Sequence, residues 1–251
     1  MNDLQRKGSQ VYKSRIMHEP SVCCVCLYAD RPAFISRMLK SFRAQTYPNK
    51  RLLIYDNGVD AFGWTVLNGN ELVVRAAQTG TKRNVGELRN GANDIAKADI
   101  IAHWDSDDWS HPYRLVEQVA LLYNSNPRDN PIAGEVEAVS YYDMLFWDST
   151  PGQFCGAWLY RSPNVLCPIG TSLMYRRKTW ERRPFANRHV GEDLEWWSGV
   201  RGVMMSSLQP REPRMIAAIH GANTVPNPIN PDSREWGRAP EWDKTCLTIM
   251  R

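Results

Sequence analysis

No apolar run in the 251-residue chain is long. None reaches the ~18 residues that a membrane-spanning helix needs. Residues 1–20 are polar and carry no apolar core of signal-peptide length. Both absences point to a soluble, cytoplasmic protein whose contact with membranes is at most peripheral. Nor is there a dominant charge of one sign. Lys and Arg total 31, Asp and Glu 27, and the formal charge of +4 is too mild to argue for nucleic-acid binding, though it does not oppose an anionic ligand. The six cysteines form no disulfide framework. Cys23, Cys24 and Cys26 share one apolar run, where neighbours point to opposite faces of a strand and cannot converge on zinc; Cys155, Cys167 and Cys246 are scattered. They read as small buried hydrophobes in a reducing compartment. Two nucleotide motifs are also missing. No G-x-G-x-x-G follows the first apolar run and no G-x-x-x-x-G-K-[ST] occurs anywhere, which excludes a nicotinamide-dinucleotide fingerprint and a P-loop. A phosphate bound here would need a cation to neutralise it.

What is present suits a globular α/β protein. Hydrophobic residues make up 43% and charged residues 23%, enough apolar material for one large domain or a domain with a small appendage. Residues 1–19 are charged and poorly patterned and read as an arm. Residues 22–28 form a nearly continuous apolar run, as expected of a central parallel strand covered on both faces. Pro32 can open a helix that turns Phe34, Ile35, Met38, Leu39 and Phe42 to one side. Strands are expected at 52–55 and 71–76, a helix capped by Thr81, and a fourth strand at 99–104. Alternation of this kind marks a doubly wound sheet. After a helix from Pro112 to about Tyr123 the pattern changes. Strands at 136–148, 157–161, 171–176 and 214–220 lack regular intervening helices and read as antiparallel or mixed additions. A short helix starts near 190, and four prolines from 226 to 240 mark an irregular tail over 223–251.

The chain is organised around Ile100-Ile101-Ala102-His103-Trp104-Asp105-Ser106-Asp107-Asp108. An apolar strand ends there in three carboxylates within four residues. Carboxylates so crowded repel, and a hard divalent cation such as Mg²⁺ or Mn²⁺ relieves the repulsion. Helix capping by Asp and Ser explains the same residues without a metal, and on this run alone both readings stand. In open α/β sheets ligands sit beyond the carboxyl ends of strands. Three such ends carry polar groups: Tyr28-Ala29-Asp30, Asp56-Asn57, and Asp105-Ser106-Asp107. Asp56 can accept from a base N–H such as the imide of uracil, or serve the turn at Asn57-Gly58; Asp30 sits equally where a helix cap belongs.

Several stretches, taken in order, resemble family 2 glycosyltransferases of the GT-A fold. They are Ser21-Val22-Cys23-Cys24-Val25-Cys26, Ala44-Gln45-Thr46-Tyr47-Pro48-Asn49-Lys50, Ile54-Tyr55-Asp56-Asn57-Gly58, Asn84-Val85-Gly86 with Arg89-Asn90, Asp105-Ser106-Asp107-Asp108, Thr171-Ser172-Leu173-Met174-Tyr175-Arg176-Arg177 and Gly191-Glu192-Asp193. The resemblance covers about residues 20–220. It implies a GT-A (Rossmann-like), mostly parallel sheet flanked by helices, with antiparallel additions in the second half. Residues 20–222 would form the glycosyltransferase domain, 20–111 the nucleotide-binding half and 112–222 the acceptor half.

The resemblance also implies a reaction. A metal-dependent, inverting enzyme would move one sugar from a nucleotide-diphosphate sugar, by default a UDP-sugar, to an acceptor hydroxyl. Asp105 and Asp107 match the D-x-D motif that holds Mn²⁺ or Mg²⁺ against the diphosphate, and His220 stands where some relatives place a further ligand, or is equally a surface or core histidine after a strand. Asp193, with Glu192 beside it, matches the E-D pair that supplies the general base; the same two acids also suit the first turn of a helix. Tyr28, Asp30, Asp56, Asn84, Arg89, Asp105 and Ser106 fall at nucleotide or sugar contacts; Trp197 with Trp196 would shape an acceptor pocket, though at least one of the two suits the core, and Arg176 and Arg177 either pair with a phosphate or end a strand on the surface. The sequence departs from the family pattern in the first strand's end, Leu27-Tyr28-Ala29-Asp30, and in giving Asp56 no second acid. It has no Q-x-x-R-W motif, which argues for transfer of single sugars. The acceptor stays open among glycan, lipid-linked glycan, protein and modified nucleic acid. Competing readings are a sugar-phosphate nucleotidyltransferase, whose Gly- and Arg-rich first loop is missing, and a non-catalytic nucleotide- or sugar-binding module.

Overall fold

A computed structural model describes residues 19–59, 67–76, 83–124, 135–150, 152, 154–209, 212–221, 223 and 228–250. The arm expected at 1–19 lies outside them except for Glu19. The chain alternates strand and helix at first: β1 (Val22–Tyr28), α1 (Pro32–Arg43), β2 (Lys50–Asp56), β3 (Glu71–Arg75), α2 (Val85–Ile95) and β4 (Ile100–His103). These four strands are mutually parallel, in the order β4-β1-β2-β3. Their alternating side chains feed two cores. Val22, Cys24 and Cys26 join Ile35, Met38, Leu39 and Phe42 of α1 on one face. Cys23 and Val25 join Leu88 and Ala92 of α2 on the other. Both faces are therefore dry, which is why β1 is apolar at every position rather than at every second one. Burial pushes the Cys23 thiol up to about 12.

The expected helix cap, Thr81, lies outside the described residues. The helix starts at Val85 with Asn84 as its cap: the Asn84 side chain accepts from the Glu87 amide at 2.9 Å, and the Glu87 carboxylate accepts from the Asn84 amide at 3.0 Å. Such a reciprocal box secures a helix start by about 1 kcal/mol.

The second half extends the sheet. After the short strand β5 (Trp109–Ser110) come α3 (Arg114–Asn124), β6 (Ala138–Asp148), β7 (Gly156–Arg161) and a 3₁₀ turn at Gly170–Ser172. Then follow β8 (Met174–Arg176), α4 (Arg177–Arg182), α5 (Glu192–Trp197), β9 (Gly202–Ser206), the ribbon β10 (Leu208–Gln209) and β11 (Glu212–Pro213), and β12 (Met215–Ile219). β8 lies antiparallel between β4 and β6, while β12 and β9 run parallel to β6. The helix expected to follow the acidic run at once is delayed by β5, which pairs antiparallel with β12.

Residues 236–250 are not irregular as the prolines suggest. β13 (Trp236–Arg238) pairs with β7, and α6 (Asp243–Met250) buries Cys246 and Met250 against Leu145, Leu159 and Ile216. The prolines act instead at its entry, where Pro240 begins the one-turn 3₁₀ segment leading into α6.

Candidate active site

The parallel pairing decides where the acidic run emerges. His103 lies opposite Val25, and Tyr28 opposite Asp56, so the chain leaving β4 rises beside the carboxyl ends of β1 and β2. A cavity of about 660 Å³ opens there. Its walls include Tyr28, Arg31 and Asn57 from the first two strand ends, residues 105–108 from the fourth, Gly170 and Thr171 from the 3₁₀ turn, and residues 189–193 from the start of α5.

Ser106, Asp107 and Asp108 are nearly withdrawn from water, and Asp105 is half-buried. Burial pushes the Asp105 carboxyl up, opposed by the Arg89 guanidinium and reinforced by Asp107. Asp108 goes well above the usual carboxylate range, from burial first and then from Asp107 and Asp105. Its two oxygens accept from Thr171 Oγ1 at 2.6 Å and from the Ala218 amide at 3.1 Å, so Asp108 ties the run to the 3₁₀ turn and to β12. Asp107 faces Arg31 and His220 instead. Its Oδ2 receives Arg31 Nη1 at 3.1 Å and His220 Nε2 at 2.9 Å. His220 is held flat against Phe34, with ring centres 4.3 Å apart. The Ser106 hydroxyl is buried on the cavity wall with no hydrogen-bond partner. Among the described residues, no three His, Cys, Asp or Glu side chains stand at a spacing that already holds a metal ion.

In the same cavity lining, Glu192 and Asp193 open α5 behind Gly191, whose φ of +78° suits glycine. The pair divides its duties. Glu192 turns inward and accepts from Arg89 Nε at 3.0 Å, a contact almost closed to solvent. Arg89 loses solvation by burial, yet Asp105, Glu192 and Asp193 carry its pKa above the ordinary value. It therefore sits as one buried positive charge among three carboxylates that line the cavity. Asp193 faces the cavity next to Gly170, where a Cβ would lie 1.8 Å from Asp193 Oδ2. Gly170 leaves the room that the Asp193 carboxylate occupies.

Other expected site residues are placed elsewhere. Asp56 is buried with Oδ1 on the Gly58 amide at 2.9 Å and Oδ2 on Arg75 Nη1 at 2.8 Å, and Asn57 rather than Asp56 reaches the cavity wall. Asp30 holds the Val59 amide at 2.7 Å from a left-handed conformation, φ +49°, and so fixes the turn after β1. Asn84 caps its helix. Trp197 is a core residue: its indole N–H donates to the Val165 carbonyl at 2.9 Å and its ring covers Gly202. Arg176 pairs with Glu135 and donates to the Leu122 and Val136 carbonyls, and Arg177 pairs with Glu181, so neither faces the cavity.

Residues that sequence reasoning passed over include Arg31 and Thr171, both on the cavity wall and bonded to the acidic run. Arg37 joins them beneath: it donates to the Asp107 carbonyl at 2.6 Å and to the Met250 carbonyl, tying the end of α6 to the run. The signal for Arg31 is its position, one residue past the polar end of the first strand.

The fold has solved relatives. The mannosyltransferase PcManGT from Pyrobaculum calidifontis, in complex with GDP-Man and Mn²⁺, superposes with a TM-score of 0.55 at 13% identity, over 90% of this chain and 65% of that one. S. aureus TarS 1-349 in complex with UDP-GlcNAc gives 0.58 at 13% identity, over 81% and 60%. The chain thus spans less than two thirds of either solved chain, and at this identity the likeness is one of fold, the GT-A arrangement. No curated protein sequence matches. The sequence model of glycosyl transferase family 2 matches residues 22–183, well over half of the chain, and the chain belongs to that family.

Proposed function

We propose that the protein is a metal-dependent, inverting glycosyltransferase of the cytoplasm that moves one sugar from a nucleotide-diphosphate sugar, a UDP-sugar by default, to an acceptor hydroxyl. The observation that carries this reading is one cavity at the carboxyl ends of the parallel strands, lined by both the Asp105–Asp107 run and Asp193. Residues 20–111 would bind the nucleotide and 112–222 the acceptor, within a single domain.

The donor groups suit Mn²⁺ or Mg²⁺. Two carboxylates, the half-buried Asp105 and the buried Asp107, an imidazole at His220 in contact with one of them, and an orphaned hydroxyl at Ser106 form an oxygen-rich set that needs positive charge. Asp105, Asp107 and His220 would hold the ion. When bound, the metal supplies Lewis-acid neutralisation of the leaving diphosphate. The remaining work falls to the chain. Tyr28 and Asn57 stand at the nucleotide end of the cavity, and Ser106 offers a hydroxyl to the donor's ribose or sugar. Asp193 accepts the proton of the acceptor hydroxyl as that oxygen attacks the sugar. Glu192, held by Arg89, fixes the helix start from which Asp193 projects.

The test is transfer from a panel of nucleotide sugars with Mn²⁺, before and after EDTA, by wild type and Asp107→Ala. Turnover that vanishes with EDTA and in the variant is expected. Equal turnover in both proteins would remove the metal from the mechanism.

A further inference from the structure

Arg31 lines the cavity beside Asp107 yet takes no part in the proposed transfer itself. Arg31 follows directly on the left-handed Asp30 in the turn between β1 and α1, and its side chain lines the cavity. Its Nη1 lies 3.1 Å from Asp107 Oδ2, the oxygen that also meets His220 Nε2. The Asp107 side chain is only 6% exposed. A carboxylate so withdrawn from water needs a cation near it at all times. Resting on the reading of this cavity as a metal and nucleotide-sugar site, we infer that Arg31 is the counter-ion of Asp107 in the metal-free enzyme and transfers to the donor's diphosphate when the metal arrives.

Three features support the exchange. First, the other partners of Asp107 are braced. His220 stacks on Phe34, and Arg37, its guanidinium carbon 5.5 Å from the Phe34 ring centre, clamps the Asp107 carbonyl. Arg31 reaches Asp107 along its own long side chain and is 19% exposed. Second, a divalent cation and a guanidinium on one carboxylate repel each other, so binding of the first favours departure of the second. Third, the ligand that comes with the metal is a diphosphate, whose oxygens match the planar, two-pronged guanidinium better than they match an ammonium. A tilt of the Arg31 side chain within the same cavity serves both states.

The consequence is a pair of effects of opposite sign. Arg31→Gln removes a competitor for Asp107, so Mn²⁺ alone should bind about tenfold tighter. It also removes a charge-assisted bond to the donor, so UDP and GDP, titrated at saturating Mn²⁺, should bind about tenfold more weakly. Calorimetry on wild type and variant reads both. Wild-type protein that binds neither nucleotide with Mn²⁺ defeats the nucleotide-sugar reading and this inference with it. Wild-type binding combined with both affinities unchanged, or both moved in the same direction, overturns the exchange alone. If circular dichroism shows Arg31→Gln unfolded, Arg31→Lys takes its place. It should keep wild-type Mn²⁺ affinity and lose nucleotide affinity, and undiminished nucleotide binding would overturn the exchange.

Discussion

Gly170 gives the sharpest test of Asp193. An alanine Cβ at this position would sit 1.8 Å from Asp193 Oδ2 and 2.9 Å from its Cγ. Ordinary contact begins near 3.4 Å, so the carboxylate must retreat from 1.8 to 3.4 Å, by about 1.6 Å. The backbone itself accepts alanine: residue 170 opens a 3₁₀ turn, and its carbonyl, which meets His103 Nδ1 at 2.7 Å, is untouched. The obstructing atoms belong to a side chain that can swing into the cavity, so the fold should lose no more than ~1 kcal/mol. Catalysis should lose far more, because a catalytic group displaced by ~1 Å costs about 10²-fold in rate. Gly170→Ala should therefore lower kcat by about two orders of magnitude while nucleoside diphosphate affinity and the melting temperature stay near wild type. Steady-state transfer, calorimetry and thermal unfolding read the three quantities. Undiminished kcat would mean that the base is not Asp193, or does not act from this position.

The buried Arg89–Glu192 pair makes a stability prediction. Arg89→Met leaves Glu192 buried without its cation and should cost about 3–5 kcal/mol by denaturant unfolding, whereas the double variant Arg89→Met with Glu192→Leu should recover much of that loss. Additive losses would show that the two side chains do not depend on each other. A second prediction concerns acid stability. Burial alone would raise the Glu71 carboxyl, but Arg43, at 2.8 Å through both Nε and Nη2, and the Asn68 amide hold it below its ordinary value. A depressed carboxylate stabilises the fold above its unfolded pKa, near ~4.3, and loses that contribution as pH falls through its folded value. Glu71→Gln should thus lower the melting temperature at pH 7, and the gap from wild type should shrink below about pH 4. A gap independent of pH would assign the effect to packing.

The sequence showed most where physics leaves local marks. β1, β2 and β4 are apolar because helices cover both faces of the sheet, and their ends carry the polar residues of the cavity. Asp105 and Asp107 stood out because three acids end a buried strand, and the family resemblance paired them with Asp193. What was not legible depends on long-range closure. Asp56 has the right strand end for a nucleotide contact, but Arg75, on the neighbouring strand's end, claims one oxygen and a turn amide the other. Trp197 has the right neighbours in sequence, yet its helix turns the ring inward to Val165. β9, Gly202–Ser206, lies parallel to the distant β6, a pairing that no local pattern announces. The last helix was concealed by prolines that lead into it rather than prevent it.

The most direct test of the account is a crystal structure of the protein soaked with a nucleotide sugar and Mn²⁺. The expected result is the ion on Asp105, Asp107 and His220, the diphosphate beside it within reach of Arg31, and the sugar's anomeric carbon facing Asp193. Nucleotide bound outside this cavity, for example in the 550 Å³ cavity between Lys50, Arg51 and Lys97 at the opposite ends of the strands, would contradict it.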